Sequence, residues 1–325
     1  MEDKVYRVPT GHIVVTDGNH GRLEYLSIGD YGKDKNIKAD FMGLNQPING
    51  VEHCDLLPLE EKWVVTVSSQ YGCSMACSFC DVPKVGSGIN ATYKDILKQV
   101  LGAISLHPEV KKTKRLNLHY ARMGEPTWNI DVINSAYYLS GYFSENNFGF
   151  HPVVSTMMPK NNNNLYGFIS EWVNLKNNLN GEAGLQLSIN TTDSLIRKKT
   201  MPKSMSIPEI SDMMYDVLSY IENLKGRKIT LNFALTDAEV DANYLLKHFS
   251  PKYFICKITP MHKTSACKRN GLLTDGGYDH YYPYENVEKS LKKVGFDVIV
   301  FIPSKEEDES RITCGNAILS DKPND

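Results

Sequence analysis

The chain has 325 residues, 41% of them apolar and 23% charged, which excludes a disordered or fibrous protein and suits one large domain or two modest ones. Thirty-six Lys and Arg against 38 Asp and Glu give a formal net charge of −2, so bulk electrostatics do not make it a nucleic-acid binder, although local basic patches can still grip a phosphate backbone. No apolar run reaches the roughly 20 residues of a membrane span, and charged Glu2, Asp3 and Lys4 follow Met1 where a signal peptide would differ, so a reducing, cytoplasmic compartment is expected.

Residues 1–60 carry short alternating stretches, such as His12-Ile13-Val14-Val15 and Leu23-Glu24-Tyr25-Leu26, punctuated by turn residues at Asp17-Gly18-Asn19 and Gly29-Asp30-Tyr31-Gly32. They predict a small β-rich N-terminal region. From residue 61 to 325, β-branched runs alternate with helix-period stretches, the pattern of a parallel α/β sheet or barrel. Strands are expected at Trp63–Ser68, Arg115–Tyr120, Gly149–Ser155, Gly184–Ser188, Lys228–Leu235, Tyr253–Ile258 and Phe296–Ile302. One helix should begin near Thr92 and bury Ile96, Val100, Leu101 and Ile104. A second should start at Ser206-Ile207-Pro208-Glu209, where Ser206 and Glu209 have capping-box spacing, and run on through Met213, Met214, Val217, Leu218, Ile221 and Leu224 as core. Asn161–Asn164 reads as a surface loop with no chemistry, and Cys267, in a polar stretch, as exposed.

Of seven cysteines, three crowd into Gly72-Cys73-Ser74-Met75-Ala76-Cys77-Ser78-Phe79-Cys80, directly after the first barrel-type strand. The spacing C-x3-C-x2-C puts three soft ligands on one tight loop, which suits an iron–sulfur cluster; a structural zinc site wants a fourth protein ligand, and none lies nearby in the sequence. A four-iron cluster with three protein ligands leaves one iron open to chelate a small molecule.

This spacing in this place resembles the radical S-adenosylmethionine (SAM) superfamily, which implies a partial (β/α)6 barrel, a [4Fe-4S] cluster held by Cys73, Cys77 and Cys80, and S-adenosyl-L-methionine on the open iron. The surrounding segments resemble one family within it, the RlmN/Cfr ribosomal-RNA adenine methyltransferases. Val67-Ser68-Ser69-Gln70-Tyr71-Gly72-Cys73 is similar to its V-S-S-Q-x-G-C lead-in, and Met123-Gly124-Glu125-Pro126 with Asn129 to its M-G-E-P-x-x-N. Val154-Ser155-Thr156, Leu187-Ser188-Ile189 and Thr259-Pro260-Met261-His262 fall in the order of its later strands. Thr313-Cys314-Gly315 resembles the A-C-G that carries its methylated cysteine, and Gly50-Val51-Glu52 the segment of its proton-accepting Glu. The resemblance implies that Cys314 carries a methyl group from one SAM, that a second SAM supplies a radical, and that Glu52 removes the proton from the adenine carbon. It also implies that Gly124, Glu125, Ser155, Ser188 and His262 line the SAM cleft, with Glu125 accepting from the SAM amino group. The partners implied are an RNA substrate, rRNA or tRNA, and an electron donor such as flavodoxin or ferredoxin.

The chain departs from the family in places. Its resolving cysteine lies seven residues before the first cluster cysteine, where this chain has Thr66. Cys54 is the nearest alternative thiol and in an extended segment shares a face with Glu52; it is either that resolving thiol or an ordinary buried cysteine. His262 stands where the family has Asn, the loop before Cys314 is acidic (Glu306 to Glu309), and the first 60 residues read as β where the family has a helical RNA-gripping domain. Two other readings therefore stay open: a radical SAM enzyme acting on a small molecule or peptide, and a non-catalytic Fe–S redox or regulatory protein.

Overall fold

The structure, a computed structural model, describes residues 3–30, 56–272, 282–303, 310–312 and 317–321. Strands β1 (Lys4–Val8), β2 (Gly11–Gly18) and β3 (Gly21–Ile28) form an antiparallel meander, and Gly18 pairs with Gly21 across the tight Asn19-His20 turn. β3 then pairs antiparallel with β4 (Trp63–Val67), so the N-terminal strands extend the main sheet edge to edge. A short hairpin of β5 (Gln70–Gly72) and β6 (Ser87–Asn90) follows, and α1 (Tyr93–Ser105) leads back down.

Parallel pairing begins at β4. The order runs β4, β7 (Thr113–Tyr120), β8 (Phe148–Thr156), β9 (Gly184–Ser188), β10 (Ile229–Leu235), β11 (Phe254–Pro260) and the three-residue β12 (Val298–Val300). Between them lie α2 (Ile130–Glu145), α3 (Leu165–Asn178), α4 (Ser194–Thr200) with α5 (Ile207–Ser219), α6 (Ala242–His248), and α7 (Ser265–Asn270) with α8 (Tyr282–Lys293). Six strands, β4 and β7 to β11, are each followed by helix, which is the expected partial (β/α)6 barrel.

Two-residue alternation divides each strand between a helix-facing core and a polar lumen. In β7, Leu116, Leu118 and Tyr120 are fully buried under the helices, while Arg115, Asn117 and His119 take the other face. β10 repeats this with Ile229, Leu231, Phe233 and Leu235 against Thr230, Asn232 and Ala234. A second, smaller cluster forms on the other face of the meander. There Ile13, Val15, Leu26 and Ile28 pack against Ile312 and Ala317.

The helix starts obey the capping rules, the helix bodies bring two corrections, and the loop before α3 a third. Thr92 and Asp95 close a capping box on α1, and Glu209 accepts from the Ser206 backbone N–H at 2.7 Å at the start of α5. Leu101 is exposed rather than buried, because Ile96, Val100 and Ala103 already fill the inward stripe and position 101 lies about 100° off it. α5 ends at Ser219, so Ile221 and Leu224 rest on the core from the loop beyond. Asn162 is buried, its Nδ2 donating to the Thr127 carbonyl at 3.0 Å, so the Asn-rich stretch braces the turn after β7 instead of lying free.

Candidate active site

The three cluster cysteines sit on the loop that leaves β5, and neighbouring glycines let backbone approach it closely. Gly72 has φ +77°, and a Cβ there would overlap the Gly86 carbonyl, whose oxygen also accepts from Cys73 N–H at 3.2 Å. Cys77 is buried and Cys73 and Cys80 are half-buried. Burial pushes the Cys73 thiol up to about 11 and that of Cys80 up to about 12, and raises Cys77 well above the ordinary range, with Cys80 and Cys73 adding to the burial effect. Backbone N–H groups of Met75 and Gly124 point at the Cys73 sulfur, and the guanidinium of Arg197 lies beside Cys77.

The loop is fastened from the distant side of the barrel. Thr264 Oγ1 donates to the Phe79 carbonyl at 2.6 Å, and Asp81 accepts from the backbone N–H groups of Ser265 (2.8 Å) and Ala266 (3.1 Å) at the start of α7. Ser78 N–H donates to Thr200 O at 3.0 Å, and Lys203 Nζ to Ser74 O. Cys267, expected at the surface, is fully buried on α7; its thiol donates to Phe79 O at 3.4 Å and lies near Cys80. The Thr264 N-cap turns this residue inward, a capping signal that the polar composition of the stretch masks.

Gln70 joins the cysteine loop to the Gly-Glu-Pro turn. Its Nε2 donates to Gly88 O and Asn90 Oδ1, both at 2.9 Å, and its Oε1 accepts from Glu125 N–H at 2.9 Å and from the Ser74 hydroxyl at 3.4 Å. Gly124, at φ +100°, lies against it so closely that a Cβ would stand 2.6 Å from the Gln70 Cβ. Met123 O accepts from Ser69 N–H (2.8 Å), and Asn129 Nδ2 donates to Ser69 O and Ala91 O, both at 2.8 Å. Glu125 is buried, with Oε1 accepting from Thr127 Oγ1 (2.7 Å) and Oε2 from Met157 N–H (2.7 Å). Burial raises its pKa, against the pull of these donors. The carboxylate thus pins the end of β8 to the turn after β7.

Ser155 and Ser188 stand at the C-terminal ends of β8 and β9, where barrel sites lie, and are half-buried on the lumen side. Arg197 is buried and donates to Ser188 O (3.1 Å), Ile189 O (2.6 Å) and Met205 O. His262 lies half-buried in the loop between β11 and α7, and its carbonyl accepts from Thr264 N–H at 2.9 Å. Glu52, Cys54 and Cys314 lie outside the described residues, as do Glu306 to Glu309. Thr66, where the family has its resolving cysteine, is described: it pairs with Leu26 and with His119.

Sequence reasoning named the cysteines and the Gly-Glu-Pro turn but not the residues that assemble them. Gln70 was visible only as part of a motif. Asp81 and Thr264 reach partners 184 and 185 residues away, and Arg197 gathers carbonyls eight and nine residues away, contacts that composition does not show.

The donor set fits a thiolate-bound cluster. Three soft donors are gathered and desolvated, two amide N–H groups face one sulfur, and buried thiols with raised pKa values need a metal's charge to ionise. No three His, Cys, Asp or Glu side chains among the described residues close on a single point as one bound ion requires. A cluster instead spreads its thiolates over separate irons.

No protein-family model matches the chain. It is 30% identical over 204 residues to the dual-specificity RNA methyltransferase RlmN of Desulfosudis oleivorans, the match covering 60% of this chain and 51% of that relative. Against RlmN of Marinomonas sp. it is 25% identical over 283 residues, covering 81% and 68%. The chain thus spans about half the length of the first of these relatives and about two thirds of the second. Among solved structures, a radical SAM methyltransferase from Sphaerobacter thermophilus superposes with a TM-score of 0.59 over 94% of this chain and 78% of that one, at 18% identity, a likeness of fold. With the order of its motifs, these matches make the chain similar in sequence to the RlmN methyltransferases and similar in fold to a radical SAM methyltransferase.

Proposed function

We propose that the protein is a radical SAM methyltransferase that transfers a one-carbon unit through Cys314 to an sp2 carbon of adenine in RNA. The observation that carries this reading is the joining of the cysteine loop to the Gly124-Glu125 turn through Gln70, which supports a site shared by the two segments.

In this reading Cys73, Cys77 and Cys80 hold a [4Fe-4S] cluster, and Gly124, Glu125, Ser155, Ser188 and His262 hold SAM. When bound, the cluster supplies the electron that cleaves SAM to a carbon radical. Glu125 fixes the cleft wall, because its two oxygens bridge Thr127 and Met157. Arg197 orders the end of β9 by gathering its carbonyls. Cys314 accepts and passes on the methyl-derived carbon, its sulfur being both a nucleophile and a leaving group. Glu52 takes the adenine proton. The Cys54 thiolate attacks the Cys314 sulfur, forming a disulfide as that sulfur's bond to the transferred carbon breaks and its electrons return to the adenine product, since Thr66 has no thiol to do so. A small redox protein of flavodoxin or ferredoxin type is the electron donor, and rRNA or tRNA the substrate.

The test is anaerobic reconstitution with SAM, reductant and total RNA, followed by mass spectrometry of digested nucleosides and of the Cys314 peptide. The expected results are about four irons per chain, a methylated adenosine, and a methyl group on Cys314. Changing Cys73, Cys77 or Cys80 to Ala should abolish 5′-deoxyadenosine formation. SAM cleavage without any RNA product or methyl on Cys314 would move the assignment to a small-molecule or peptide substrate.

A further inference from the structure

Arg122 and Glu24 form a buried ion pair, Nε to Oε1 at 2.7 Å, with side chains 2% and 0% exposed. Their remaining atoms reach one stretch of chain from its two sides. Arg122 Nη1 donates to Ile312 O at 2.9 Å, and Glu24 Oε2 accepts from Ile318 N–H at 2.9 Å. In the sequence Cys314 lies between these two anchored positions. The backbones of the pair are tied to the cluster lead-in: Arg122 N–H donates to Val67 O at 3.1 Å, and the Ser68 hydroxyl donates to Glu24 O at 2.6 Å. Arg122 also stands two residues before Gly124.

A buried ion pair is a poor source of stability, since a well-packed apolar pair of similar volume does as well or better. The Arg122 Nη2 group, moreover, is buried with no hydrogen-bond partner among the described residues, a further cost of keeping a guanidinium here. What the pair does that an apolar pair cannot is to hold a carbonyl and an N–H six residues apart, both against the residues that lead into the cysteine loop. Ile312 and Ala317 press on Leu26 and Ile28 beside it, so the N-terminal meander provides the seat.

We propose that Glu24 and Arg122 are positioning residues: a clamp, built half from the N-terminal meander and half from the loop after β7, that anchors Ile312 and Ile318, which flank Cys314 in the sequence, against the lead-in to the cysteine loop, and on which methyl loading of Cys314 depends. The proposal rests on the reading of Cys314 as the methyl carrier.

The test compares the reconstituted full-length protein with the double variant Glu24→Leu/Arg122→Met, which removes the clamp without leaving a buried charge, and with Arg122→Lys, which keeps the charge but cannot reach Glu24 and Ile312 together. Cluster absorbance serves as the control for folding. Amide hydrogen exchange at Ile318 and its neighbours should speed up by about tenfold or more in the double variant. Methyl loading of Cys314 should slow by a comparable factor, with a smaller effect in Arg122→Lys. Exchange or loading unchanged in the double variant overturns the clamp. Failure of the unaltered protein to methylate Cys314 overturns the underlying reading instead, and the exchange measurement then still decides whether the pair holds the segment.

Discussion

Thr66 stands directly opposite Leu26 in the antiparallel β3–β4 pair, so the two side chains share the face of the sheet on which Ile312 and Ala317 rest. The position that carries a resolving thiol in the family therefore faces the segment that leads to Cys314, although here it carries a hydroxyl.

Thr66→Cys should restore that thiol at little structural cost. The Thr66 side chain has no hydrogen-bond partner among the described residues, and its exposure is intermediate, so the change is expected to cost less than about 1 kcal/mol. Non-reducing mass spectrometry after turnover should find a disulfide between the introduced thiol and Cys314, and multiple turnover should no longer depend on Cys54. A disulfide requires the two Cα atoms within roughly 7 Å. Absence of the bond, with turnover still lost in a Cys54→Ala background, would show that the introduced thiol does not meet Cys314.

Gln70→Leu tests the junction between cysteine loop and Gly-Glu-Pro turn. It removes four hydrogen bonds and strands the buried Glu125 N–H, at a cost of about 1–3 kcal/mol. Thermal melting of the cluster-free protein should drop, and iron retention after desalting should fall further than the melting change explains. Gly124→Ala should do the same by displacing Gln70, because it adds strain at positive φ to the overlap. Full iron retention in both variants would mean the junction is dispensable.

The lumen gives a pH-dependent prediction. Burial, with Arg227 adding to it, lowers the Lys257 pKa to about 8 from an ordinary 10.5; its ammonium lies 5.2 Å over the Phe301 ring. The unfolded chain binds the proton more tightly, so this group's penalty is absent above about 10.5, grows as pH falls, and is complete below about 8. Lys257→Met should therefore raise the melting temperature most at pH 7 or below, and the gain should shrink on titration from about pH 8 to above 10. A gain independent of pH would show that packing, not charge, sets the difference.

The parallel strands were legible from β-branched runs, and the loop that carries three thiols from eight residues of cysteine spacing. Local rules also found the α1 and α5 starts, because a capping box is written within four residues. What could not be read were contacts between residues with no sequence relationship. Cys267 sits in a stretch as polar as any surface loop, yet docking of α7 on the cysteine loop buries it. Asn162 looks like low complexity and is a brace. The Glu24–Arg122 pair is invisible because each residue alone is an ordinary strand or loop charge, and only the sheet order of β3, β4 and β7 brings them together.

The meander that seats the C-terminal segment also dictates an order of events in folding. The contacts that seat it span 190 residues for Arg122 with Ile312 and 294 for Glu24 with Ile318, against only a few tens of residues for successive barrel strands. Loop closure over such separations carries the greatest entropic cost, and the ties of the cysteine loop to Thr264 and Ser265, 185 and 184 residues away, are of the same order, so both follow the pairing of successive strands. The cysteine loop and the residues that flank position 314 in the sequence are thus both settled only once chain some 185 residues or more further on is in place.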